Sequence, residues 1–294
     1  MTTEVDPKRG AGMEADAERA ESRRGFLLAL PTYVYLIVLF AIPLVLVAVY
    51  SFASRSRTGA PELENWNLTS VRKLLDPDFL QIAWRSVLLA LLTTIICLVI
   101  AYPFSYYIAT RSERSRNILL VLVMIPFWSN FLVRTYAWKV LLGSDGLVTR
   151  FGEATGLWGQ LLFTMPAVLI GLVYGFLPFM VLPLYAAIER LDWSLVEAGR
   201  DLYASGWKAF RKITLPLSRP GIIAGSILVF IPSLGAYVTP DILGGAKTTL
   251  LGNYIVNQFL AARNWPLGSA VSMAIMILML AATILYFRTG GRTL

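Results

Sequence analysis

The chain has 294 residues, of which 56% are hydrophobic and 15% are charged, and its mean hydropathy is +0.64. A soluble domain of this length cannot bury so much apolar surface, so the composition excludes an ordinary soluble protein and predicts an integral membrane protein. The net charge is +8, and the chain has one cysteine and no histidine. These counts exclude an internal disulfide and a histidine-based metal site or proton relay.

The N-terminal segment is polar and charged and is short of aromatic side chains, which predicts a polar tail at 1–26. An apolar run follows at 27–52. A cleaved signal peptide is the alternative interpretation of this run, but the apolar core of a signal peptide spans only about 7–15 residues. We therefore expect an uncleaved first transmembrane helix, followed by an extracytoplasmic loop that completes a region at 27–85.

Apolar runs of roughly 20 residues, the length that crosses the hydrocarbon core of a bilayer, recur six times along the chain. They lie at 27–52, 86–110, 118–142, 161–188, 221–240 and 267–287. The pattern predicts an all-α integral membrane protein with six transmembrane helices, a main membrane domain at 86–287 and a short tail at 288–294. An even number of spans places both termini on the same side.

Lys and Arg residues are distributed unevenly between the two sets of connections. Of the 26, 16 lie in the two tails, the second-to-third connection and loop 189–220, and only 7 lie in the opposite connections. Because positively charged loops stay on the cytoplasmic side, we expect both termini and loop 189–220 to be cytoplasmic. The positive charge then faces anionic lipid, and no nucleic-acid partner is expected.

Two cations, Arg134 and Lys139, fall inside the third apolar run. Both lie in its second half, where a long side chain can reach the membrane interface. An unpaired charge inside the membrane costs at least about 2.5–3.5 kcal/mol. We therefore expect Arg134 to pair with a carboxylate such as Asp145 or Asp241.

The fifth run, 221–240, contains Gly225, Pro232, Gly235 and Pro240. Broken spans leave backbone carbonyls free to line a cavity, so this run is predicted to border a ligand path. Aromatic faces, carboxylates and amides at membrane depth are the other expected lining groups. They are Trp128, Asn130, Tyr136, Tyr174, Tyr237 and Asp241. Aromatic residues also gather at membrane interfaces for packing alone, and that alternative stays open for each ring.

Loop 189–220 carries two helical patterns. Leu191, Leu195, Ala198 and Leu202 recur at helical spacing, which predicts an amphipathic helix, and a turn is expected at 203–206. Trp207 and Phe210 then share one side of a second short helix. The loop is either a docking element or a surface hairpin whose aromatic rings lie on lipid headgroups.

The same loop resembles the signature of ATP-binding-cassette (ABC) importer permeases, in which Glu-Ala-Ala is followed by Asp, Gly-Ala, Phe, Ile and Leu-Pro. The matching residues are Glu197, Ala198, Asp201, Ala204, Phe210, Ile213, Leu215, Pro216 and Pro220. The resemblance implies a coupling helix seated on an ATPase subunit, with Glu197 and Asp201 orienting the loop and Trp207 and Phe210 as buried anchors. Gly199 replaces the usual alanine and Tyr203 the usual glycine, so we expect the turn to be re-formed, with Gly206 supplying it.

Further segments resemble the first permease subunit of spermidine/putrescine importers. They are Ile-Pro-Phe-Trp-Ser-Asn at 125–130, Val-Arg-Thr-Tyr-Ala-Trp at 133–138, Leu-Pro-Phe-Met-Val-Leu-Pro-Leu-Tyr at 177–185, Leu-Gly-Gly-Ala-Lys at 243–247 and Arg-Asn-Trp-Pro at 263–266. The resemblance covers roughly residue 27 to the end. It implies the type I ABC importer (MetI-like) fold in the cytoplasmic membrane, with 86–287 as the ABC transporter transmembrane domain.

That family also implies partners and a cargo. The expected partners are a second, different permease, an ATPase dimer, an extracytoplasmic substrate-binding protein and membrane lipid, and the expected cargo is a polyamine. ATP and Mg²⁺ would be used by the ATPase, so we expect this chain to bind no cofactor or metal and to catalyse no reaction.

Three alternatives stay open at this point. The chain could be an ABC permease for another small solute that shares the loop. A stand-alone secondary transporter would predict an inverted internal repeat, and the sequence has no clear one. A membrane enzyme would require clustered catalytic carboxylates, His or Cys at one membrane face, which the sequence lacks.

Overall fold

The computed structural model describes residues 29–56, 59–245 and 248–289, without the side chains of residues 282 and 285–289. The predicted tail at 1–26 and the end of the predicted C-terminal tail, 290–294, lie outside these residues. The described chain is predominantly helical.

The first transmembrane helix, α1, spans Ala29–Ser51; it is mostly exposed at 30–46 and half-buried or buried at 47–51. A π-helical segment at Ile37–Ala41 precedes Pro43, which lacks the N–H that a regular turn needs. A two-stranded antiparallel hairpin follows, with β1 at Ser54–Arg55 and β2 at Pro61–Glu62. The hairpin is tied to the far end of the chain, because the Arg55 guanidinium donates a hydrogen bond to the Ala262 carbonyl at 2.6 Å.

A short helix, α2 (Thr69–Arg72), leads into α3, which spans Pro77–Ala109. The second predicted span, 86–110, therefore starts nine residues too late. Hydropathy misses residues 77–85 because this first part of the helix carries charges, including Asp78 and Arg85. The proline at its first position is preorganised for a helix start and sacrifices no internal hydrogen bond.

The expectation of one continuous third span at 118–142 is wrong. The segment forms α4 (Glu113–Trp128) and α5 (Phe131–Leu142), which meet at 88°. The break has a local cause, because the Asn130 side chain accepts the backbone N–H of Leu132 at 2.8 Å and starts a new helix there. A third helix, α6 (Leu147–Thr155), continues the segment.

The fourth span is α7 (Met165–Glu189), and loop 189–220 follows with α8 (Trp193–Asp201) and α9 (Gly206–Leu217). The fifth span, α10 (Arg219–Gly235), meets α9 at 64°. The chain then forms a π-helical turn at Pro240–Gly244, α11 (Leu251–Leu260) and α12 (Trp265–Thr289).

The predicted break of the fifth span at Gly225 and Pro232 is wrong, since α10 is helical through both residues and ends only at Gly235. Gly225 has a packing role instead. A Cβ atom added there would lie 2.7 Å from the Met180 sulfur, and one at Gly221 would lie 2.7 Å from the Pro183 carbonyl oxygen. Small residues four apart thus bring α10 close to α7, as in other membrane helix pairs.

The core lies between α3, α7 and α10, which pack on one another. Ile108, Met180, Leu184, Ile188 and Val229 are fully buried in its main cluster. A second cluster forms around Leu172 and Leu243, and a third joins α10 to α12 around Leu234 and Val271.

Among the described residues, α1, α3 and α7 are long and apolar enough to cross a membrane. The bent pairs formed by α4 with α5–α6 and by α9 with α10 raise this number to five. The sixth predicted span corresponds to α12, whose described apolar part is Trp265–Ala281. Each predicted apolar run therefore coincides with a helical element.

Candidate functional site

Loop 189–220 begins each of its helices with a side-chain cap. The Asp192 carboxylate accepts the backbone N–H of Ser194 at 3.0 Å at the start of α8. Hydrogen bonds from the Ser194 hydroxyl and backbone N–H stabilise the ionised carboxylate and lower the pKa of Asp192 below its ordinary value. At the start of α9, the Ser205 hydroxyl accepts the backbone N–H of Lys208 at 3.3 Å. Both helix starts are thus fixed from within the loop.

Most of the predicted apolar stripe faces away from the rest of the chain, whereas Leu191, just before α8, is half-buried and packs on the main core cluster. Leu195 is 47% exposed and Leu202 is 82% exposed, and Trp207 on α9 is 70% exposed. Val196 lies on the opposite side of α8 and is buried. A group of large apolar side chains left outside the fold marks an interaction surface.

The two departures from the family signature have different structural explanations. A Cβ atom at Gly199 would lie 2.5 Å from Cδ1 of Ile213, so glycine lets α8 and α9 approach closely. Tyr203 itself adopts the left-handed conformation, with φ of 59°, and its side chain does not pack on the chain. The expectation that Gly206 supplies the turn is wrong, because Tyr203 itself takes the positive φ, at a cost in strain, and Gly206 is already part of α9.

The aromatic residues Trp207 and Phe210 stack on each other, with ring centroids 5.3 Å apart. Phe210 also makes edge contacts with Tyr102 at 5.4 Å and Tyr106 at 6.4 Å, both on α3. We expected both rings to serve as anchors in a partner. Phe210 instead anchors the loop to its own chain, and Trp207 alone remains outside.

The ten predicted coupling residues divide by exposure. The exposed ones are Glu197, Ala198, Asp201 and Trp207, and the half-buried ones are Gly199, Ala204, Phe210, Ile213, Leu215 and Pro216. Within the described part of the chain, the carboxylates of Glu197 and Asp201 form no hydrogen bond or ion pair. They therefore do not orient the loop through contacts inside this chain.

A second site is a polar pocket of about 390 Å³ beside the π-helical turn, here called the Asp241 pocket. Tyr237 and Asp241 line it, as does α11 with Asn253 and Asn257. The Asn253 amide donates to the Tyr237 carbonyl at 3.2 Å. The Asn253 Oδ1 and Thr248 Oγ1 atoms are buried without a hydrogen-bond partner. The exposed lining residues Asp241, Thr249 and Asn257 offer the accessible acceptor oxygens, and the described lining residues include no Lys or Arg.

The other predicted path residues lie elsewhere. Trp128 is exposed at the break after α4, and the Asn130 side chain is used as a helix cap. Lys139 places its ammonium 5.7 Å from the Tyr136 ring centroid, and Tyr174 packs edge-on against Trp138 at 5.5 Å. Of the six predicted residues, the structure brings only Tyr237 and Asp241 into the Asp241 pocket.

The expected ion pair of Arg134 is absent from the described residues. Asp145 lies 3.7 Å from Arg150 instead, and the Arg134 guanidinium lies over the Phe127 ring at 5.4 Å. Its Nε atom is buried without a hydrogen-bond partner. Arg134 therefore relies on aromatic faces, which stabilise a cation through their ring electrons.

Sequence reasoning missed Thr248, Asn253 and Asn257 as pocket residues. Asn253 and Asn257 are spaced four apart on the mostly apolar helix α11, and this spacing was the available signal for them. Thr248 follows the turn that ends at Gly244 and Gly245, and nothing in its local sequence distinguishes it from a surface threonine.

Comparisons with known proteins agree on one family. Residues 101–289 match the model of the family described as binding-protein-dependent transport system inner membrane component. The chain is 42% identical over 263 residues to the spermidine/putrescine transport system permease protein PotB of Haemophilus influenzae, covering 87% of this chain and 90% of the relative. It is 41% identical over 259 residues to PotB of Escherichia coli K12, covering 87% of this chain and 94% of the relative.

The fold is also similar to a solved structure. A bacterial alginate ABC transporter in complex with an alginate pentasaccharide-bound periplasmic protein contains a chain that matches with a TM-score of 0.68 at 16% sequence identity. The match covers 93% of this chain and 96% of that one. At this identity the likeness establishes the fold alone.

Proposed function

The chain belongs to the binding-protein-dependent transport system inner membrane component family and is a permease subunit of an ABC importer in the cytoplasmic membrane, and we propose that its cargo is a polyamine, spermidine or putrescine. The two PotB relatives, which each match 87% of this chain, are named for spermidine and putrescine transport. The observation that carries the proposal is the acceptor-rich lining of the Asp241 pocket.

A polyamine is a row of ammonium groups joined by methylene chains, and each ammonium donates hydrogen bonds and accepts none. The Asp241 pocket offers the matching groups. The Asp241 carboxylate supplies charge, the exposed side chains of Thr249 and Asn257 supply acceptor oxygens, and the Tyr237 ring supplies an aromatic face. A cation near such a ring gains roughly 0.5–2 kcal/mol. The pocket supports a weak site from which the cargo can leave again.

The partners in this proposal are a second, different permease, a dimer of ATPase subunits and an extracytoplasmic substrate-binding protein. ATP and Mg²⁺ are used by the ATPase subunits, and this chain contributes no catalytic group. The exposed apolar side chains of Leu195, Leu202 and Trp207 in loop 189–220 supply the surface on which an ATPase subunit seats. The loop and both termini then lie in the cytoplasm, and 86–287 forms the transmembrane domain.

Transport in this scheme alternates between inward-open and outward-open arrangements of the two permeases. Closure of the ATPase dimer moves loop 189–220 as a rigid body, and the membrane helices follow. The substrate-binding protein supplies most of the selectivity. The Asp241 pocket only needs to favour a cation over a neutral or anionic solute.

Substitution of Asp241 by Asn tests the site. The change removes the negative charge and keeps the size, so it should weaken cation binding by at least about tenfold, since a hydrogen bond to a charged group contributes about 1.5–3 kcal/mol. The measurement is uptake of labelled spermidine and putrescine by cells that contain the complete transporter. Asp145→Asn is the matched control, because Asp145 is exposed and lies outside the pocket.

Assembly of the ATPase subunits with the permeases should be the same in both variants. Unchanged uptake kinetics in the Asp241→Asn variant would refute the assigned role of the pocket. A competitor panel of amino acids and sugars tests the cargo itself. If removal of the chain abolishes uptake of another solute and leaves polyamine uptake unchanged, the importer architecture stands and the polyamine assignment fails.

A further inference from the structure

The joint between α9 and α10 is held from the side by α3. Ser218 lies at this joint, where the two helices meet at 64°, and its side chain is fully buried. Its hydroxyl lies 2.8 Å from the hydroxyl of Tyr102. The Ser218 hydroxyl also donates to the Leu215 carbonyl at 3.2 Å.

The Tyr102 ring also contacts the loop. It lies edge-on to Phe210 at 5.4 Å, and Phe210 carries the stacked Trp207 on its outer side. One turn further along α3, Tyr106 contacts both Phe210 at 6.4 Å and Trp193 on α8 at 5.8 Å. Tyr102 is therefore the one residue of this set that contacts both the loop and the α9–α10 joint.

Tyr102 directly precedes a proline inside α3. The next residue, Pro103, lies inside the helix and has no N–H for the turn below it, and such positions are where long helices bend. A groove of about 680 Å³ opens beside these residues, between Leu98 and Val99 on α3 and Trp207 on α9.

We propose that Tyr102 is a positioning residue that transmits movement of loop 189–220 to α3 and α10 together. Its ring receives the movement from Phe210, and its hydroxyl holds the start of α10 to the same helix turn. Closely packed groups pass displacement on without loss, whereas a missing contact lets the two helices move separately. This role rests on the proposed function, because it requires an ATPase that moves the loop.

The experiment measures ATP hydrolysed per polyamine imported, in vesicles that hold the complete transporter with its binding protein. Tyr102→Phe and Ser218→Ala each remove the same hydrogen bond and leave the rings in place. Each should raise the ratio at least about threefold, and the double variant should raise it no further. Tyr107→Phe is the control, because Tyr107 is exposed on α3 and the Arg111 guanidinium covers its ring.

A merely structural role would give a different result. Loss of folded transporter lowers hydrolysis and import in proportion, so the ratio would stay at the wild-type value. An unchanged ratio in Tyr102→Phe and Ser218→Ala would overturn the proposal. A wild-type transporter that imports no polyamine would refute the proposed cargo instead, so the two failures are distinguishable.

Discussion

Replacement of Gly221 by alanine should destabilise the contact between α7 and α10. An added Cβ atom would lie 2.5 Å from the Ala187 Cβ atom, 2.7 Å from the Pro183 carbonyl oxygen and 3.2 Å from the Leu184 Cα atom. These neighbours belong to the backbone or are fixed directly to it, so the helices must separate. Overpacking of this kind costs about 1–3 kcal/mol, and the better helix propensity of alanine offsets at most about 1 kcal/mol.

Denaturant unfolding of the purified chain in detergent, followed by tryptophan fluorescence, would measure this loss. Gly175→Ala is the matched control, because Gly175 lies inside α7 and an added Cβ atom there meets nothing within 4 Å. The control should be as stable as the wild type or slightly more stable. If Gly221→Ala and Gly175→Ala unfold at the same denaturant concentration, the close-packing argument is refuted.

Three further predictions concern loop 189–220. Trp207→Ala should lower the affinity for the ATPase subunit and leave unfolding of the chain unchanged, because the side chain is 70% exposed; equal recovery of the ATPase in a pull-down would contradict this. Tyr203→Gly should slow amide hydrogen exchange across α8, because the left-handed conformation costs a non-glycine residue roughly 1–2 kcal/mol. The greater backbone entropy of glycine in the unfolded chain offsets only about 0.4–1 kcal/mol of this gain. Tyr203→Ala should show no slowing. Because the pKa of Asp192 is lowered in the folded chain, the start of α8 should keep its full stability above about pH 4 and lose it as the pH falls through the lowered pKa. An NMR titration would measure this loss. Asp192→Asn should remove the pH dependence.

Each apolar run that hydropathy located overlaps a helical element of the described chain, because lipid requires apolar side chains along about 20 residues. Hydropathy did not locate the 88° bend between α4 and α5. Only Ser129 and Asn130 interrupt the apolar run there, and Asn130 ends one helix and begins another only through its hydrogen bond to the Leu132 backbone. A cap of this kind depends on backbone conformation, which composition does not report.

The Asp241 pocket and loop 189–220 could be predicted from the sequence to different extents. Tyr237 and Asp241 lie at the end of the run 221–240, whose Gly and Pro residues predicted a ligand path, and both line the Asp241 pocket. The spacing of the apolar residues predicted an amphipathic α8 but not the direction of its apolar side. The direction of Phe210 could not be predicted either, because the same aromatic residue on a short helix can face a partner or its own chain. Tertiary contact with Tyr102 and Tyr106 decides between the two.

The length of α3 has a geometric consequence. Its 33 residues span about 50 Å at 1.5 Å per residue, well beyond the roughly 30 Å of the hydrocarbon core. Tyr102 lies near one end, about 38 Å from Pro77 at the other. A rotation of α3 by about 5° about Tyr102 would therefore move the end at Pro77 by about 3 Å. A small movement of the loop at one end of α3 would thereby be enlarged to a movement of about 3 Å at the other end.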